Sequence, residues 1–403
     1  MQIKFNNLDF QNELKLPQNI IEINENIFSI CNNLPALNIT SDTELLNEII
    51  SITKDFMKGK KTFVVFGTGG SNLGARALIN VSIKENSNLL FYDNIDPNSF
   101  QRSFSNIDFN STAFIVISKS GKTPETLFQF GSIAELASQD NELENFYKNT
   151  LIITEFYNSP LFNIAKKYNC LLLEHKKDIG GRYSVFSNVG MVPAIIAGLN
   201  VKNIYEGANK VKNALENEQY YKIGQLFKYQ NNLNLLSSVL MTYSDSLYYF
   251  GKWYLQLWAE SIGKKNQGIT PIHSIGATDQ HSQLQLYLDG PKDKFFTFIT
   301  TNHSKKGLHV NNDIMISAEV NYLVNRKMGD LMQAEQQSTL DVFNSKNIKF
   351  REIFIEIIDE KRIGELMAAS IVETVATCIY FGVDPFNQPA VEAGKKLTKQ
   401  YLS

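Results

Sequence analysis

Cysteine is scarce in this chain of 403 residues, which contains only Cys31, Cys170 and Cys378. The three lie far apart, are odd in number and form no CxxC pair, which argues against a disulfide framework and against a structural zinc site. We therefore expect a reducing compartment, the cytoplasm. The sequence also lacks an apolar run of about 18 residues and an N-terminal apolar stretch flanked by basic residues. Neither a membrane span nor a signal peptide is expected.

Neither positive nor negative charge is in marked excess. Lys and Arg total 39 and Asp and Glu total 41, which gives a net charge of −2. Because nucleic-acid and anionic-membrane binders need a net or clustered positive surface, this balance argues against both kinds of partner. With 43% hydrophobic and 20% charged residues, the composition is typical of a soluble globular protein. The length predicts two or three domains of roughly 100–200 residues each.

Short apolar segments alternate with helical ones after the first 55 residues or so. The predicted strands of this part cover 62–66, 89–92, 113–117, 150–154 and 170–174. Such alternation is typical of βαβ units, in which helices cover both faces of a parallel sheet. A long, mostly helical segment follows. The alternation then resumes with apolar runs at 295–300 and 350–358 and a helix over 363–380.

The expected fold is therefore α/β, with two doubly wound units whose parallel sheets are flanked by helices, and with helical segments at both ends of the chain. The predicted divisions are an N-terminal helical segment over 1–55, a larger α/β domain over 56–200, connecting helices over 201–264, a second α/β domain over 265–382, and a C-terminal loop and helix over 383–403.

The first predicted strand runs into a glycine-rich loop, GTGGSNLG, at 67–74. Its glycines let the backbone approach a ligand closely, and the helix that follows offers free N–H groups. The loop lacks the Gly-Lys-Ser/Thr of a P-loop, and Asn72 stands where the dinucleotide fingerprint needs its third glycine. A plain tight turn is the alternative interpretation. Gly70 and Ser71 are the candidate ligand contacts of this loop.

A second loop, SKSGKTPET at 118–126, follows the third predicted strand. It supplies four hydroxyls and two lysines at a helix N-terminus, the mixture of donors and positive potential that a phosphate prefers. Ser and Thr also serve as ordinary helix caps, but the cluster exceeds that need. The loop therefore predicts binding of a small phosphorylated metabolite, with these candidate residues: Ser118, Lys119, Ser120, Thr123 and Thr126.

Two further residues suggest acid–base chemistry. Arg182 follows two glycines, an arrangement that can aim one guanidinium at a developing oxyanion; the alternative is a structural pair with Asp178. Glu260 ends an apolar helix, where a carboxylate can act as a general base; the alternative is a solvated glutamate at a helix end. Local sequence alone favours that alternative for Glu260.

Three candidates lie nearer the C-terminus. Among the five histidines, His281 has the most site-like surroundings, because small and polar residues flank it. Gln388 and Lys395 are seven residues apart, about two helical turns, and can share one face. A solvated lysine on a terminal helix is the alternative for Lys395. No cluster of His, Cys and carboxylates has metal-ligand spacing.

Taken in order, these motifs resemble the phosphoglucose isomerase family over about residues 66–395. The two loops after the strands are shared with the wider sugar isomerase (SIS) superfamily. Gly-Gly-Arg-Tyr-Ser at 180–184 and the Gln388, Glu392 and Lys395 pattern are more specific to the family. The compact length is similar to that of bacterial members.

The resemblance implies roles for individual residues. The sugar-phosphate cradle would be formed by Gly70, Ser71, Ser118, Lys119, Ser120, Thr123 and Thr126, with Gln388 as a substrate contact. Glu260 would be the base that moves a proton between C1 and C2, Arg182 would stabilise the enediolate, and His281 and Lys395 would open the sugar ring. In the family the histidine comes from the neighbouring subunit, which implies a homodimer with shared active sites. No cofactor and no metal are implied.

The sequence departs from the family pattern in two places. The usual Lys-Thr-Phe-Thr-Thr is Lys-Ser-Gly-Lys-Thr at 119–123, and the usual Gly-Thr-Asn-Gly-Gln-His is Gly-Ala-Thr-Asp-Gln-His at 276–281. These differences affect substrate preference more than reaction class. One alternative is an isomerase that also accepts mannose 6-phosphate. Another is a non-catalytic sugar-phosphate-binding regulator, which would usually carry a basic DNA-binding segment that is not evident here.

Overall fold

The computed structural model describes residues 1–82, 88–231, 233–315 and 317–403. In these ranges the strands are β1 (Gln2–Asn6), β2 (Thr62–Phe66), β3 (Leu89–Tyr92), β4 (Thr112–Ile117), β5 (Thr150–Thr154), β6 (Leu171–Glu174), β7 (Ser237–Thr242), β8 (Thr270–Ile275), β9 (Lys294–Thr301) and β10 (Phe350–Ile355).

The α-helices of the same ranges are α1 (Phe10–Glu13), α2 (Ile20–Asn32), α3 (Pro35–Asn38), α4 (Thr43–Met57), α5 (Leu73–Ile79), α6 (Pro97–Ser103), α7 (Pro124–Gln139), α8 (Leu143–Lys148), α9 (Pro160–Lys167), α10 (Asn188–Ile196), α11 (Val201–Lys212), α12 (Lys222–Tyr229), α13 (Tyr248–Ile262), α14 (Leu284–Asp289), α15 (Met328–Ser345), α16 (Glu360–Phe381) and α17 (Glu392–Tyr401). Short 3₁₀ turns at Gly69–Ser71, Gly181–Phe186, Thr278–His281 and Pro389–Val391 carry several of the candidate site residues.

The first sheet is parallel throughout and has the order β3-β2-β4-β5-β6. Its central strands are apolar and almost fully buried, because helices cover both faces. The strand order reverses between β2 and β4, and ligands of doubly wound sheets bind at the carboxyl ends of strands at such a point. The two predicted phosphate loops follow these two strands, so the topology brings them side by side.

The second sheet has the order β1-β10-β9-β7-β8, parallel except for β1, which pairs antiparallel with β10 at one edge. Without β1, its strand order repeats that of the first four strands of the first sheet. The predicted fold class, two parallel-sheet units flanked by helices, is confirmed.

Two details of the predicted organisation are wrong. The N-terminal segment is not only helical, because Gln2–Asn6 forms β1, in register with Phe350–Phe354 of β10. The segment over 201–264 does not contain helices alone, because it includes β7, an internal strand of the second sheet. Strand β8 is a further element that the apolar runs do not predict. The domain boundaries themselves stay a prediction.

Helix α16 runs through the centre of the molecule. It is long and apolar enough to cross a membrane, but 94% of its most apolar window is buried inside the protein. It packs against α2, α11, α12 and α13, begins at a cap where the Asp359 carboxylate accepts from the Arg362 N–H, and ends at Gly382, whose φ is +67°. Such all-round burial is typical of a core helix in a large globular protein.

Candidate active site

The glycine-rich loop after β2 is packed backbone to backbone against the segment that carries Arg182. A Cβ on Gly70 would lie 2.3 Å from the carbonyl carbon of Gly181 and 2.6 Å from the nitrogen of Arg182. The Ser184 hydroxyl donates to the carbonyl of Gly70 at 3.4 Å. Ser71 ends the 3₁₀ turn of this loop and is partly exposed. The two chain segments therefore approach so closely that position 70 has no room for a side chain.

The loop after β4 presents its hydroxyls to one another and to the start of α7. The Ser118 and Thr123 hydroxyl oxygens are 2.8 Å apart. Thr123 is the N-cap residue of α7, but its side chain makes no capping hydrogen bond to the helix. Ordinary capping therefore does not account for this cluster. The N-terminus of α7, which is the positive end of the helix dipole, faces this loop. That orientation favours a bound anion.

Lys119 and Ser120 are held by neighbouring segments. The Lys119 ammonium donates to the Lys177 carbonyl at 2.8 Å and lies 3.5 Å from the Glu155 carboxylate. The Ser120 hydroxyl accepts from the Lys122 N–H at 3.2 Å. Both side chains are thus ordered at the mouth of the loop, and about a third of the Lys119 side chain is exposed to solvent.

Several buried polar atoms around these loops lack a hydrogen-bond partner among the described residues. They are the Thr126 hydroxyl, both amide atoms of Asn72, and the Gln256 carbonyl oxygen. A buried polar group without a partner costs about 1–3 kcal/mol. These four atoms lie in or beside the two loops that carry the candidate phosphate contacts, as expected of a region suited to a polar ligand.

The Arg182 guanidinium is the centre of the site. Its side chain is 3% exposed, and it reaches two other segments of the chain, the end of α13 and the C-terminal loop. Nε donates to the Ser261 hydroxyl at 2.7 Å, Nη1 donates to Glu260 Oε2 at 3.3 Å and to Gln388 Oε1 at 2.9 Å, and Nη2 donates to the carbonyls of Pro385 and Asn387. The partner carboxylate is therefore Glu260 and not Asp178, the alternative that the sequence leaves open.

Glu260 lies in the last turn of α13 with its carboxylate held at both oxygens. Oε2 faces Arg182, and Oε1 accepts from Gln256 Nε2 at 3.1 Å. About a third of the Glu260 side chain is exposed, so the carboxylate is both fixed and reachable. Sequence reasoning missed Gln256, although a position four residues before a chosen glutamate on the same helix is the natural one to inspect.

The C-terminal loop reaches the site through Gln388, while Lys395 stays outside it. Lys395 lies on the exposed helix α17 and pairs with Glu392 at 2.7 Å. Among the described residues no hydrogen bond or ion pair joins Lys395 to Arg182 or Glu260. A lysine that the sequence did not single out, Lys264, holds the loop instead by donating to the Asp384 and Ser261 carbonyls. Burial, with a contribution from nearby Arg182, lowers the pKa of Lys264.

His281 is exposed at the end of a 3₁₀ turn that follows β8. The preceding Gln280 anchors this turn, because its amide donates to the Tyr243 hydroxyl at 2.7 Å and to the Thr339 hydroxyl at 2.8 Å. Within the part of the chain that the structure describes, no bond connects His281 to Arg182 or Glu260. The structure thus brings together the two loops, Arg182, Glu260 and Gln388, and leaves His281 and Lys395 on the surface.

A glycine loop and a hydroxyl-rich loop that meet at the strand-order reversal of a parallel sheet define the class as an α/β protein with a ligand site at the carboxyl ends of its strands. Comparison with known proteins makes this more specific. The family model described as phosphoglucose isomerase matches residues 53–403. The chain belongs to the phosphoglucose isomerase family.

Individual relatives agree with this assignment. The chain is 35% identical over 362 residues to a probable glucose-6-phosphate isomerase of Methanococcus maripaludis, which covers 87% of this chain and 80% of the relative. A solved structure of a hypothetical protein from Thermus thermophilus is similar with a TM-score of 0.86 at 25% identity, over 95% of this chain and 94% of that one. A glucose-6-phosphate isomerase structure from Chlamydia trachomatis has the same fold, with a TM-score of 0.75 at 22% identity over 89% and 73%.

The close approach at Gly70 predicts that adding one methyl group at this position destabilises the fold. Gly70→Ala should lower the free energy of unfolding by about 1–3 kcal/mol, because the new Cβ overlaps the Gly181 and Arg182 backbone and forces the segments apart. Gly181→Ala is the matched control, since a Cβ there meets nothing within 4 Å. Urea unfolding measures both. Equal stabilities of the two variants would contradict this packing.

The contacts of Arg182 predict that lysine cannot replace it. Arg182→Lys keeps the charge but loses the forked donors that bind the Pro385 and Asn387 carbonyls. The loop should then loosen, and amide hydrogen exchange over 386–391 should become at least about tenfold faster, which corresponds to the loss of roughly 1.4 kcal/mol. Arg326→Lys, at an exposed position, is the control. Unchanged exchange in Arg182→Lys would disprove the role of the guanidinium as the anchor of the loop.

Proposed function

We propose that this chain interconverts glucose 6-phosphate and fructose 6-phosphate, the reaction of the family to which it belongs, by ring opening and proton transfer through a cis-enediolate. The observation that carries the proposal is the buried Arg182 guanidinium 3.3 Å from the partly exposed carboxylate of Glu260, next to the two phosphate-type loops. A charge-stabilising cation beside a fixed base is what proton abstraction next to a carbonyl requires.

The phosphate of the substrate would bind at the paired loops. Ser71, Ser118, Ser120, Thr123 and Thr126 would offer hydroxyls, the start of α7 would offer amide N–H groups, and Lys119 would supply positive charge. Gly70 would let the backbone come close. Binding energy from the unreactive phosphate would then orient C1 and C2 at Glu260.

Glu260 would take the proton from C2 of the open-chain aldose and return it to C1. The negative charge that develops on the substrate oxygen would be stabilised by Arg182, which also keeps that charge away from the base. Gln256 would act as a positioning residue, because its amide bonds the Glu260 oxygen that does not face Arg182. Gln388, bonded to Arg182, would contact the substrate. The proton moves within one molecule, so we propose that no cofactor or metal takes part.

His281 and Lys395 would open the sugar ring by moving protons between the ring oxygen and the hydroxyl. Both side chains are exposed in a single chain, and among the described residues neither is bonded to the Arg182 and Glu260 pair. This supports a homodimer in which His281 enters the active site of the neighbouring subunit. The chain would work in the cytoplasm on a small sugar phosphate, in glycolysis and gluconeogenesis, without nucleic-acid or membrane partners.

A coupled assay tests the reaction and the base together. Supplied with fructose 6-phosphate in the presence of a chelator, the wild-type protein should form glucose 6-phosphate. Glu260→Gln should lower kcat by about 10²–10⁴-fold with little change in KM, because the amide accepts no proton. Glu25→Gln, on the exposed side of α2, is the control.

Three results would count against the proposal. Near-normal turnover of Glu260→Gln would refute the role of the base, and activity abolished by the chelator would refute a metal-free reaction. Equal rates on mannose 6-phosphate in a substrate panel would replace strict specificity with dual specificity.

Subunit mixing tests the shared site. Glu260→Gln and His281→Ala should each be nearly inactive alone. When they are unfolded together in equal amounts and refolded, about half of the dimers are mixed and each mixed dimer has one intact site. About a quarter of the wild-type activity should then return, as closed two-fold symmetry requires. If each active site used the histidine of its own chain, no activity would return on mixing.

A further inference from the structure

Lys264 is a half-buried lysine just beyond the helix that carries the proposed base. Its ammonium donates to the Ser261 carbonyl at 2.5 Å and to the Asp384 carbonyl at 2.6 Å. The first bond places a cation on one of the last carbonyls of α13, where positive charge is favourable. The second bond reaches the C-terminal loop, 120 residues further along the chain. One side chain therefore joins the end of α13 to that loop.

Lys264 and Arg182 hold successive carbonyls of the C-terminal loop. Lys264 donates to the first of them, that of Asp384. Arg182 Nη2 donates to those of Pro385 at 2.5 Å and Asn387 at 3.2 Å. The Asp384 carboxylate is engaged inside the loop, where it accepts from the side-chain amide of Asn387 at 2.6 Å. The loop is thus a formed turn whose carbonyls are bound by two cations.

This arrangement brings two positive charges close together. Burial lowers the pKa of Lys264, and the neighbouring Arg182 adds to that effect. Within the part of the chain that the structure describes, both hydrogen bonds of the Lys264 ammonium go to carbonyls, and it forms no ion pair with a carboxylate. Lysines perturbed by burial and by a neighbouring charge concentrate at functional sites. This lysine therefore differs from an ordinary solvated one.

The two carbonyls that this lysine joins lie next to proposed site residues. Ser261 follows Glu260 on α13, and Asp384 is four residues before Gln388. Glu260 and Gln388 both accept from Nη1 of Arg182, at 3.3 and 2.9 Å. A loop held by the guanidinium alone could rotate about it. A second attachment, at the lysine, opposes that rotation and fixes the base and the loop relative to each other.

The phosphate-type loops take no part in this attachment. Among the described residues, no hydrogen bond or ion pair joins Lys264 to the loops at 67–74 and 118–126. Loss of the lysine should therefore disturb the reacting end of the site and leave the phosphate end as it is.

We propose that Lys264 is a positioning residue of the isomerase, which clamps the C-terminal loop to the end of α13 and so fixes Gln388 and Glu260 against the reacting carbons. This assignment rests on the proposed function, because it concerns the same site. A displacement of about 1 Å at a reacting group can lower turnover about 10²-fold. The clamp should therefore affect kcat more than KM.

Steady-state kinetics of Lys264→Met tests the clamp, because methionine keeps an apolar stem but has no donor for either carbonyl. Its kcat for fructose 6-phosphate should fall about 10–100-fold while KM changes less than about twofold. Lys264→Arg keeps the charge and the donors, and its kcat should stay within about threefold of the wild type. Lys265→Met, at the exposed neighbouring lysine, removes the same charge and should behave as the wild type.

Four kinetic results would overturn this role of Lys264. They are a wild-type kcat in Lys264→Met, a raised KM at unchanged kcat, an equal loss in Lys265→Met, and a Lys264→Arg variant no more active than Lys264→Met. If Lys264→Met does not fold, Lys264→Gln decides, because its neutral side chain is one bond shorter and cannot bridge both carbonyls. A wild-type kcat in Lys264→Gln would likewise overturn the role.

Amide hydrogen exchange measures the clamp without any turnover. Exchange over 386–391 should become about fivefold faster or more in Lys264→Met and stay unchanged in Lys265→Met, because only the first variant loses an attachment of the loop. Unchanged exchange in Lys264→Met would overturn the clamp. A wild-type protein inactive on fructose 6-phosphate would instead contradict the proposed function, while the exchange measurement would still report on the clamp.

Discussion

The arrangement of the site depends on one buried cation. The Arg182 side chain is almost fully buried, so its charge and its N–H groups must all find partners within the protein. They do so on the end of α13 and on the C-terminal loop. Its own segment is fixed in turn, because Trp253 of α13 donates to the Arg182 carbonyl and Tyr183 donates to the Pro385 carbonyl. Removing the guanidinium would therefore take away five of the hydrogen bonds that join these three parts of the chain.

Close backbone approach is the second constraint, and it explains a departure from the family pattern. Gly121 has a φ of +60°, and a Cβ there would lie 2.3 Å from the Ser159 hydroxyl. The Ser159 hydroxyl caps α9, so it cannot easily move away. Where the family usually has phenylalanine, this loop turns tightly against the next βα connection and admits only glycine. The altered loop is thus a local packing solution that leaves the Ser118 and Thr123 hydroxyls together.

Much of the first unit could be predicted from sequence because its signals are local. Each buried strand is a mostly apolar run, and each predicted phosphate loop is a single contiguous segment of sequence. The errors concern long-range structure. Strand β1 pairs with β10, more than 340 residues away, and β7 is an apolar run embedded among helices that periodicity alone cannot separate from them. The partner of Arg182 was equally hidden, since Glu260 is 78 residues distant and Asp178 only four.

The repeated strand order raises the question of why the predicted phosphate contacts all lie in the first unit. In the second sheet the order reverses between β7 and β9, where a ligand site would be expected. There, however, the fully buried ring of Tyr243 lies against Gly276. The backbone carbonyl of Tyr243 accepts a hydrogen bond from His303 Nε2 at 2.7 Å. Burial lowers the pKa of His303, which favours the neutral ring. At the reversal of the second sheet, the space beside Gly276 is thus filled by the Tyr243 side chain, and the Tyr243 carbonyl is already hydrogen-bonded within the protein. In the first sheet, glycines and hydroxyls follow the two strands that flank the reversal, so side chains of different size stand at the two reversals of the same topology.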